Sequence, residues 1–143
     1  MSKCDFEGEK LLLRLDFSGP AELSSIESVI HWVMNAAKEI GCAAGKEFEV
    51  AMALREALAN AVIHGCKGDP TKKIQFWVGC DHERGMLIVV RDPGDGFDPA
   101  SIPSPVLGER VYSEHGRGIF LINQLMDEVR FERGGTEIRM RKR

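Results

Sequence analysis

The spacing of apolar residues changes several times along the chain, and each spacing predicts an element. Alternation of apolar and polar residues over 11–17 predicts a strand with at least one buried face. Apolar residues then recur every three or four positions over 23–40 and again over 46–64, which predicts two amphipathic helices. Gly41 and Gly65 follow the apolar stripes and are typical helix ends.

Further strands and one more helix are predicted in the second half of the chain. Alternation over 74–80 and a near-continuous apolar run over 86–90 predict a hairpin. Residues 98–115 contain several prolines and show no regular period, which predicts a long loop. Apolar residues over 119–126 predict a last helix, and the pattern over 129–140 predicts a closing hairpin.

The order of these elements predicts an α+β protein with one sheet and helices on one side of it. No internal repeat divides the sequence. A chain of 143 residues suits one compact domain over residues 1–143, of which residues 1–9 are expected to be poorly ordered.

The charge balance argues against a nucleic-acid ligand. Lysine and arginine total 19 against 22 aspartates and glutamates, and this net charge of -3 provides no basic surface for a nucleic acid or an acidic membrane. The basic end of the sequence alternates in part with apolar residues, and we expect it on the solvent side of a last strand, a phosphate contact being the alternative; it comprises Arg139, Arg141, Lys142 and Arg143. Because there is neither a run of about 18 apolar residues nor an apolar signal-peptide core, we expect a cytoplasmic protein without a membrane segment.

The cysteines are spread widely over the sequence, at Cys4, Cys42, Cys66 and Cys80. Because none of them forms a C-x-x-C pair, we expect unpaired thiols in a reducing compartment. His64 and Cys66 are too few ligands to predict a metal site of their own.

A polar line interrupts the second predicted helix. Residues four apart share a helix face, so Glu56, Asn60 and His64 are expected on one side, away from the apolar stripe. The amide oxygen of Asn60 suits Mg²⁺, and Glu56 one turn earlier would be placed to orient or deprotonate a hydroxyl group. The same residues are equally compatible with an ordinary solvent-facing helix surface.

An acidic glycine turn, Asp92-Pro-Gly94-Asp-Gly96, follows the apolar strand predicted over 86–90. A carboxylate at Asp92 would be partly desolvated there and would need a donor, such as the exocyclic amine of a purine. Gly94 and Gly96 would permit positive φ angles and the close approach of a flat ring to the backbone. Hairpin turns and calcium loops can show a similar pattern, although the carboxylates here lack the regular spacing that calcium requires.

The third motif, Gly116-Arg117-Gly118, precedes the last predicted helix. Free N–H groups and the helix dipole favour phosphate oxygens at such a position, and Arg117 would add charge-assisted hydrogen bonds. No G-K-[S/T] follows this motif and no G-x-G-x-x-G follows the first strand, which argues against a Walker A loop and a dinucleotide fingerprint.

Taken together and in this order, the three motifs resemble the N, G1 and G2 boxes of the Bergerat-fold (GHKL) ATP-binding superfamily. Gly135-Thr136 is similar to its further Gly-Thr element, and the resemblance extends from Leu11 to Met140. The small size, the two amino-terminal helices, the short proline-containing lid and residues 116–127 look like the bacterial anti-sigma factor serine kinases. The resemblance implies the histidine-kinase-like ATPase fold, a two-layer α/β sandwich with helices on one face of a mixed, mainly antiparallel sheet.

The resemblance also implies ATP and Mg²⁺ as cofactors. It implies that Glu56 is the general base, that Arg117 is catalytic at the transferred phosphoryl group, and that Asn60 is the Mg²⁺ ligand. Residues 98–115 would form a lid over ATP, and Asp92 would accept a hydrogen bond from the adenine amine. The implied nucleotide-binding residues are Asn60, His64, Asp92, Gly94, Gly96, Phe97, Gly116, Gly118, Ile119 and Thr136. His64 is equally compatible with a structural role at the helix end.

The implied function is that of an anti-sigma factor that binds a sigma factor and uses ATP to phosphorylate a serine on a STAS-type anti-anti-sigma protein, as a homodimer. One alternative is a nucleotide-gated protein that sequesters a transcription regulator without turnover. The other is the catalytic fragment of a histidine kinase. We expect no upstream helical hairpin with a phospho-accepting histidine, and His31 on the first helix is a weak substitute.

Overall fold

Five strands and three helices are present in the part of the chain that the computed structural model describes, residues 13–20, 22–81, 83–96 and 114–143. Of these, residues 13, 14 and 114–117 are described at the backbone only. The elements are, in chain order, β1 Leu13–Pro20, α1 Ile26–Glu39, α2 Glu47–Asn60, β2 Lys73–Asp81, β3 Gly85–Arg91, α3 Glu114–Leu125, β4 Glu128–Glu132 and β5 Glu137–Lys142. The predicted order of strands and helices is confirmed.

The strands form one sheet in the order β1-β2-β3-β5-β4, and its four pairings are antiparallel. β2 and β3 pair as the first predicted hairpin, and β4 and β5 pair as the closing one. β5 lies next to β3, where Val90 is opposite Ile138. This pairing brings the end of β3 beside the start of β5.

The three helices pack on one face of this sheet and form the core with it. Val33 and Leu54 from the helices and Phe76 and Ile88 from the strands are fully buried between the two layers. Successive strand residues point to opposite faces, so Val89 belongs to a separate small cluster on the other side. The predicted two-layer α+β fold is confirmed.

Two helix boundaries differ from the prediction. α2 ends at Asn60, and residues 61–65 form a wider π turn in place of the last predicted α-helical turn. α3 begins at Glu114, so the motif at 116–118 lies inside the start of the helix and does not precede it. Residues 98–113 of the predicted loop lie outside the described residues. None of the described helices is long and apolar enough to cross a membrane.

A buried ion cluster lies on the sheet face opposite the helices. The carboxylate of Glu137, which is 1 % exposed, accepts hydrogen bonds from Arg91 at 2.9 and 2.6 Å and from Arg139 at 3.0 Å. The guanidinium of Arg91 also lies 5.1 Å from the ring centre of Trp77. The expectation of a solvent-facing Arg139 is therefore wrong, because pairing with a buried acid allows this arginine to be buried as well.

A disulfide joins Cys42, in the turn after α1, to Cys80, near the end of β2. The expectation of unpaired thiols is wrong for this pair, whereas Cys66 is free and buried. Cys4 lies outside the described residues. Spacing rules do not reveal the pair, because its members are 38 residues apart and meet only when the turn after α1 packs on the sheet.

We expect the disulfide to stabilise the fold by restricting the unfolded chain. Its sequence separation of 38 residues corresponds to about 4 kcal/mol in the chain-entropy treatment. Reduction should therefore shift urea-induced unfolding of the wild-type chain to lower urea concentration. The matched control is the double variant Cys42→Ala/Cys80→Ala, whose unfolding should be the same with and without reductant. An unchanged wild-type midpoint after verified reduction would contradict this expectation.

Candidate functional site

The π turn that follows α2 is wider than an α-helical turn and leads directly into the candidate site. In the π turn of residues 61–65, the N–H of Cys66 donates to the carbonyl of Ala61, five residues earlier, at 2.8 Å. Gly68 follows with a φ of 73°, a left-handed conformation that is common where helices end. Turns of this width inside or after α-helices are frequent at functional sites. Here the turn places Gly65 against the end of β3.

Asp92 lies directly after β3, and the sheet holds its backbone. Its N–H donates to the carbonyl of Thr136 at 2.9 Å, next to the last paired residues of β3 and β5. Its carboxylate accepts a hydrogen bond from the N–H of Gly94 at 2.8 Å, and within the described ranges no lysine or arginine forms an ion pair with it. Burial raises the pKa of the Asp92 carboxyl above its ordinary value, and the Gly94 hydrogen bond opposes that shift. The carboxylate therefore keeps acceptor positions for a ligand donor.

Glycines allow three backbone segments to touch around Asp92. A Cβ added to Gly65 would overlap the carboxylate of Asp92, and one added to Gly94 would overlap the carbonyl oxygen of Gly65. A Cβ on Gly96, whose φ is 79°, would overlap the carbonyl oxygen of Gly134 in the turn between β4 and β5. Side chains at these positions would push the three segments apart.

A first groove opens between these segments and the end of α2. It contains about 490 Å³ of space without protein atoms, open solvent included. The predicted site residues that line it are Asn60, His64, Asp92, Gly96 and Thr136. A flat apolar ring with an amine directed at the Asp92 carboxylate matches this lining.

A second groove lies on the other side of Asn60 and His64, between α2 and α3. Glu56 and Gly118 line it together with those two residues. A Cβ on Gly118 would lie 2.8 Å from a carboxylate oxygen of Glu56 and 3.5 Å from the amide oxygen of Asn60. The predicted acid and amide therefore meet the amino-terminal part of α3.

The donors at this point fit a magnesium ion that the protein holds by very few ligands. Asn60 offers an amide oxygen and Glu56 a carboxylate, and both are the hard oxygen ligands that Mg²⁺ prefers. In the part of the chain that the structure describes, no group of three or more His, Cys, Asp or Glu could hold a metal ion. Phosphate oxygens and water would have to supply most of the coordination.

Some predicted site residues lie elsewhere or are not described. Phe97 is outside the described residues, and Gly116 and Arg117 are described only as backbone in α3. Ile119 is buried and is not among the residues that line either groove. Gly94 contributes its N–H to Asp92 and does not itself line the first groove.

The sequence analysis missed the apolar walls of the first groove. Val90, Phe131 and Ile138 line it from three different strands. Gly65, expected only as a helix end, contacts Asp92. The apolar walls follow from the position of β5 between β3 and β4, and local sequence patterns do not reveal this strand order.

The fold and the two grooves define a class of protein. The chain belongs to the histidine-kinase-like ATPase family, because the model of the histidine kinase-like ATPase domain matches residues 19–142. The resemblance to the GHKL superfamily and its anti-sigma kinase group, predicted from the three motifs, is confirmed by this match and by the relatives described next.

Relatives of known name cover most of the chain. Serine-protein kinase RsbW of Bacillus licheniformis is 29 % identical over 124 residues, which cover 82 % of this chain and 77 % of that protein. Serine-protein kinase RsbW of Bacillus subtilis (strain 168) is 27 % identical over 137 residues, covering 90 % of this chain and 84 % of that protein. Anti-sigma F factor of Clostridium novyi (strain NT) is 33 % identical over 102 residues, which cover 66 % of this chain and 69 % of that protein.

Ionisation of Asp92 should lower the stability of the ligand-free fold. Because burial raises the pKa of this carboxyl in the folded chain, stability is lost as pH rises from the unfolded pKa through the folded one. Asp92→Asn keeps an oxygen for the Gly94 N–H but carries no charge. We expect this variant to melt at a higher temperature than the wild type above the raised pKa, and its advantage to shrink as pH falls through that value.

Thermal unfolding across roughly pH 4 to 8, a range that spans the ordinary carboxyl pKa and neutrality, measures this difference. Asp95→Asn is the matched control, since the Asp95 side chain is in the same loop and 94 % exposed. It should show no such pH-dependent gain. An Asp92→Asn variant whose difference from the wild type is independent of pH would be inconsistent with a desolvated carboxylate.

Proposed function

We propose that the chain is an ATP-dependent protein kinase that phosphorylates a serine hydroxyl of a partner protein. The observation that carries the proposal is the meeting of Glu56, Asn60 and Gly118 beside the groove that contains Asp92. The two grooves share Asn60 and His64, so together they offer a purine site at one end and an acid with an amide at the other. The names of the serine-protein kinase relatives support phosphoryl transfer to protein serine.

In the first groove, Asp92 would accept a hydrogen bond from the exocyclic amine of adenine. Its carboxylate has one donor among the described residues, the N–H of Gly94, and so retains acceptor capacity. Guanine carries a carbonyl oxygen at the corresponding ring position, which a carboxylate would repel. Val90 and Ile138 supply apolar contact for the ring. This combination favours ATP over GTP.

At the other end, the phosphates would lie against the start of α3. N–H groups in the first turn of a helix and the helix dipole favour anions. Gly116 and Gly118 carry no side chain that would block this approach, and Arg117 would neutralise charge on the transferred group. We further propose that residues 98–113, the part of the predicted lid that precedes α3, close over the nucleotide and exclude water.

The reaction moves the γ-phosphoryl group from ATP to serine. The serine oxygen bonds to the γ-phosphorus, the bond between that phosphorus and the β–γ bridging oxygen breaks, and ADP leaves. Glu56 would accept the hydroxyl proton. Asn60 would hold Mg²⁺, which supplies positive charge to the phosphate oxygens when bound.

The regulatory part of the proposal is that the chain acts as a homodimeric anti-sigma factor in the cytoplasm, where thiols are mostly kept reduced and the Cys42–Cys80 disulfide would be exceptional. It would bind a sigma factor and phosphorylate a STAS-type anti-anti-sigma protein. The name of the Clostridium novyi relative, anti-sigma F factor, supports this part. A protein that only sequesters its partner would bind ATP and yield no phosphoprotein.

Loss of the proposed base should separate binding from transfer. General-base catalysis contributes typically 10²- to 10⁴-fold, so Glu56→Ala should slow phosphoprotein formation roughly 100-fold or more while ATP binding persists. Transfer is measured as labelled phosphate on a STAS-type protein from the same cell, and binding by calorimetry. Glu49→Ala, two turns earlier on the same helix face, is the matched control and should retain both.

The outcomes of this experiment are distinct. Full transfer by the Glu56→Ala variant would refute Glu56 as the base. Saturable ATP binding by the wild type with no phosphoprotein would favour nucleotide-gated sequestration. A folded wild-type chain that binds no adenine nucleotide would overturn the proposed function as a whole.

A further inference from the structure

We propose that Gly65 is a positioning residue for purine recognition: the absence of a side chain at Gly65 sets the orientation of the Asp92 carboxylate and thereby the preference for adenine. The inference rests on the proposed function, in which Asp92 accepts from the adenine amine. It assigns a role in nucleotide selectivity to the π turn after α2, in addition to the role of Asp92 at the end of β3.

The backbone of Asp92 has little freedom to move. Its N–H donates to the carbonyl of Thr136 at 2.9 Å. The residues on either side of this bond, Arg91 and Glu137, are opposite each other in the β3–β5 register and are joined by hydrogen bonds of 2.9 and 2.6 Å. The direction of the carboxylate is therefore decided by the torsions of the Asp92 side chain and by what surrounds it.

Two close contacts restrict that side chain. The N–H of Gly94 donates to a carboxylate oxygen at 2.8 Å. The carboxylate also lies against Gly65 so closely that a Cβ there would overlap its carbon and both oxygens. The carboxylate thus occupies the volume that a side chain at Gly65 would fill.

The backbone conformation gives no separate reason for glycine at this position. Gly68, three residues later, has a φ of 73°, whereas the φ of Gly65 is outside the left-handed region. Alanine would therefore be accepted by the backbone of the π turn. The turn cannot retreat from Asp92 without a loss elsewhere, because the carbonyl oxygen of Gly65 packs against the Cα of Gly94. A methyl group at Gly65 would displace the carboxylate.

The test compares two nucleotides on Gly65→Ala. The probes are ATP and purine riboside 5′-triphosphate, which lacks the exocyclic amine. A hydrogen bond to a charged group corresponds to roughly 10- to 100-fold in affinity, so the wild type should prefer ATP by about that factor. Gly65→Ala should lose most of this preference through weaker ATP binding, with its affinity for purine riboside 5′-triphosphate nearly unchanged. A merely structural defect would weaken both nucleotides alike.

Gly68→Ala is the matched control for a disturbed turn. A Cβ on Gly68 would meet no atom within 4 Å, and its left-handed φ would still strain an alanine. This variant should lose stability and keep the preference for ATP. If Gly68→Ala loses the preference as Gly65→Ala does, the contact with Asp92 is not the cause and the inference is wrong.

A double-mutant cycle tests whether Gly65 acts through Asp92. Gly65→Ala/Asp92→Ala should show the same nucleotide preference as Asp92→Ala alone, because the carboxylate is already absent.

If Gly65→Ala does not fold, the double variant should fold, since the overlap with the Asp92 carboxylate is removed. Failure of both variants to fold would overturn the inference. A wild type with no preference would instead reject the proposed role of Asp92. A preference that Asp92→Ala loses and Gly65→Ala keeps would reject the role of Gly65 only.

Discussion

The candidate site depends on one place where the backbone of the helical layer touches the backbone that extends from the sheet. Elsewhere side chains such as Leu54 and Ile88 fill the space between the layers. Between Gly65 and Gly94 no side chain intervenes. The layers converge there, and a groove opens beside the contact because glycines leave nothing to fill it. The position of the groove thus follows from where side chains are missing.

Two acids near this contact show opposite solutions to burial. Glu137 accepts hydrogen bonds from Arg91 and Arg139, so its charge is balanced on the face away from the helices. Asp92, beside the same strand pair, has the Gly94 N–H and no such cation within the described ranges. Desolvation without a counter-charge is unfavourable until a ligand supplies a donor. Perturbed acids of this kind are typical of functional sites.

The periodicity of apolar residues predicts most of the strands and helices of this fold, because its two-residue period in a strand shows which side chains face the core. It does not distinguish an α turn from the π turn at 61–65. It also placed the start of α3 after 116–118, since two glycines disfavour a helix that packing nevertheless imposes. The motifs indicated the polar chemistry of the site. Its walls at Val90 and Ile138 depend on β5 lying between β3 and β4, an order that local patterns do not encode.

The two ends of the β2–β3 hairpin are stabilised in different ways. Near its turn, the disulfide at Cys80 ties the segment after α1 to the sheet. Asp92 lies at the far end of β3, roughly 20 Å along the strand. In the chain-entropy treatment a disulfide acts largely on the unfolded chain. The disulfide at one end of the sheet therefore adds to the stability of a fold that holds glycines and a desolvated acid at the other end.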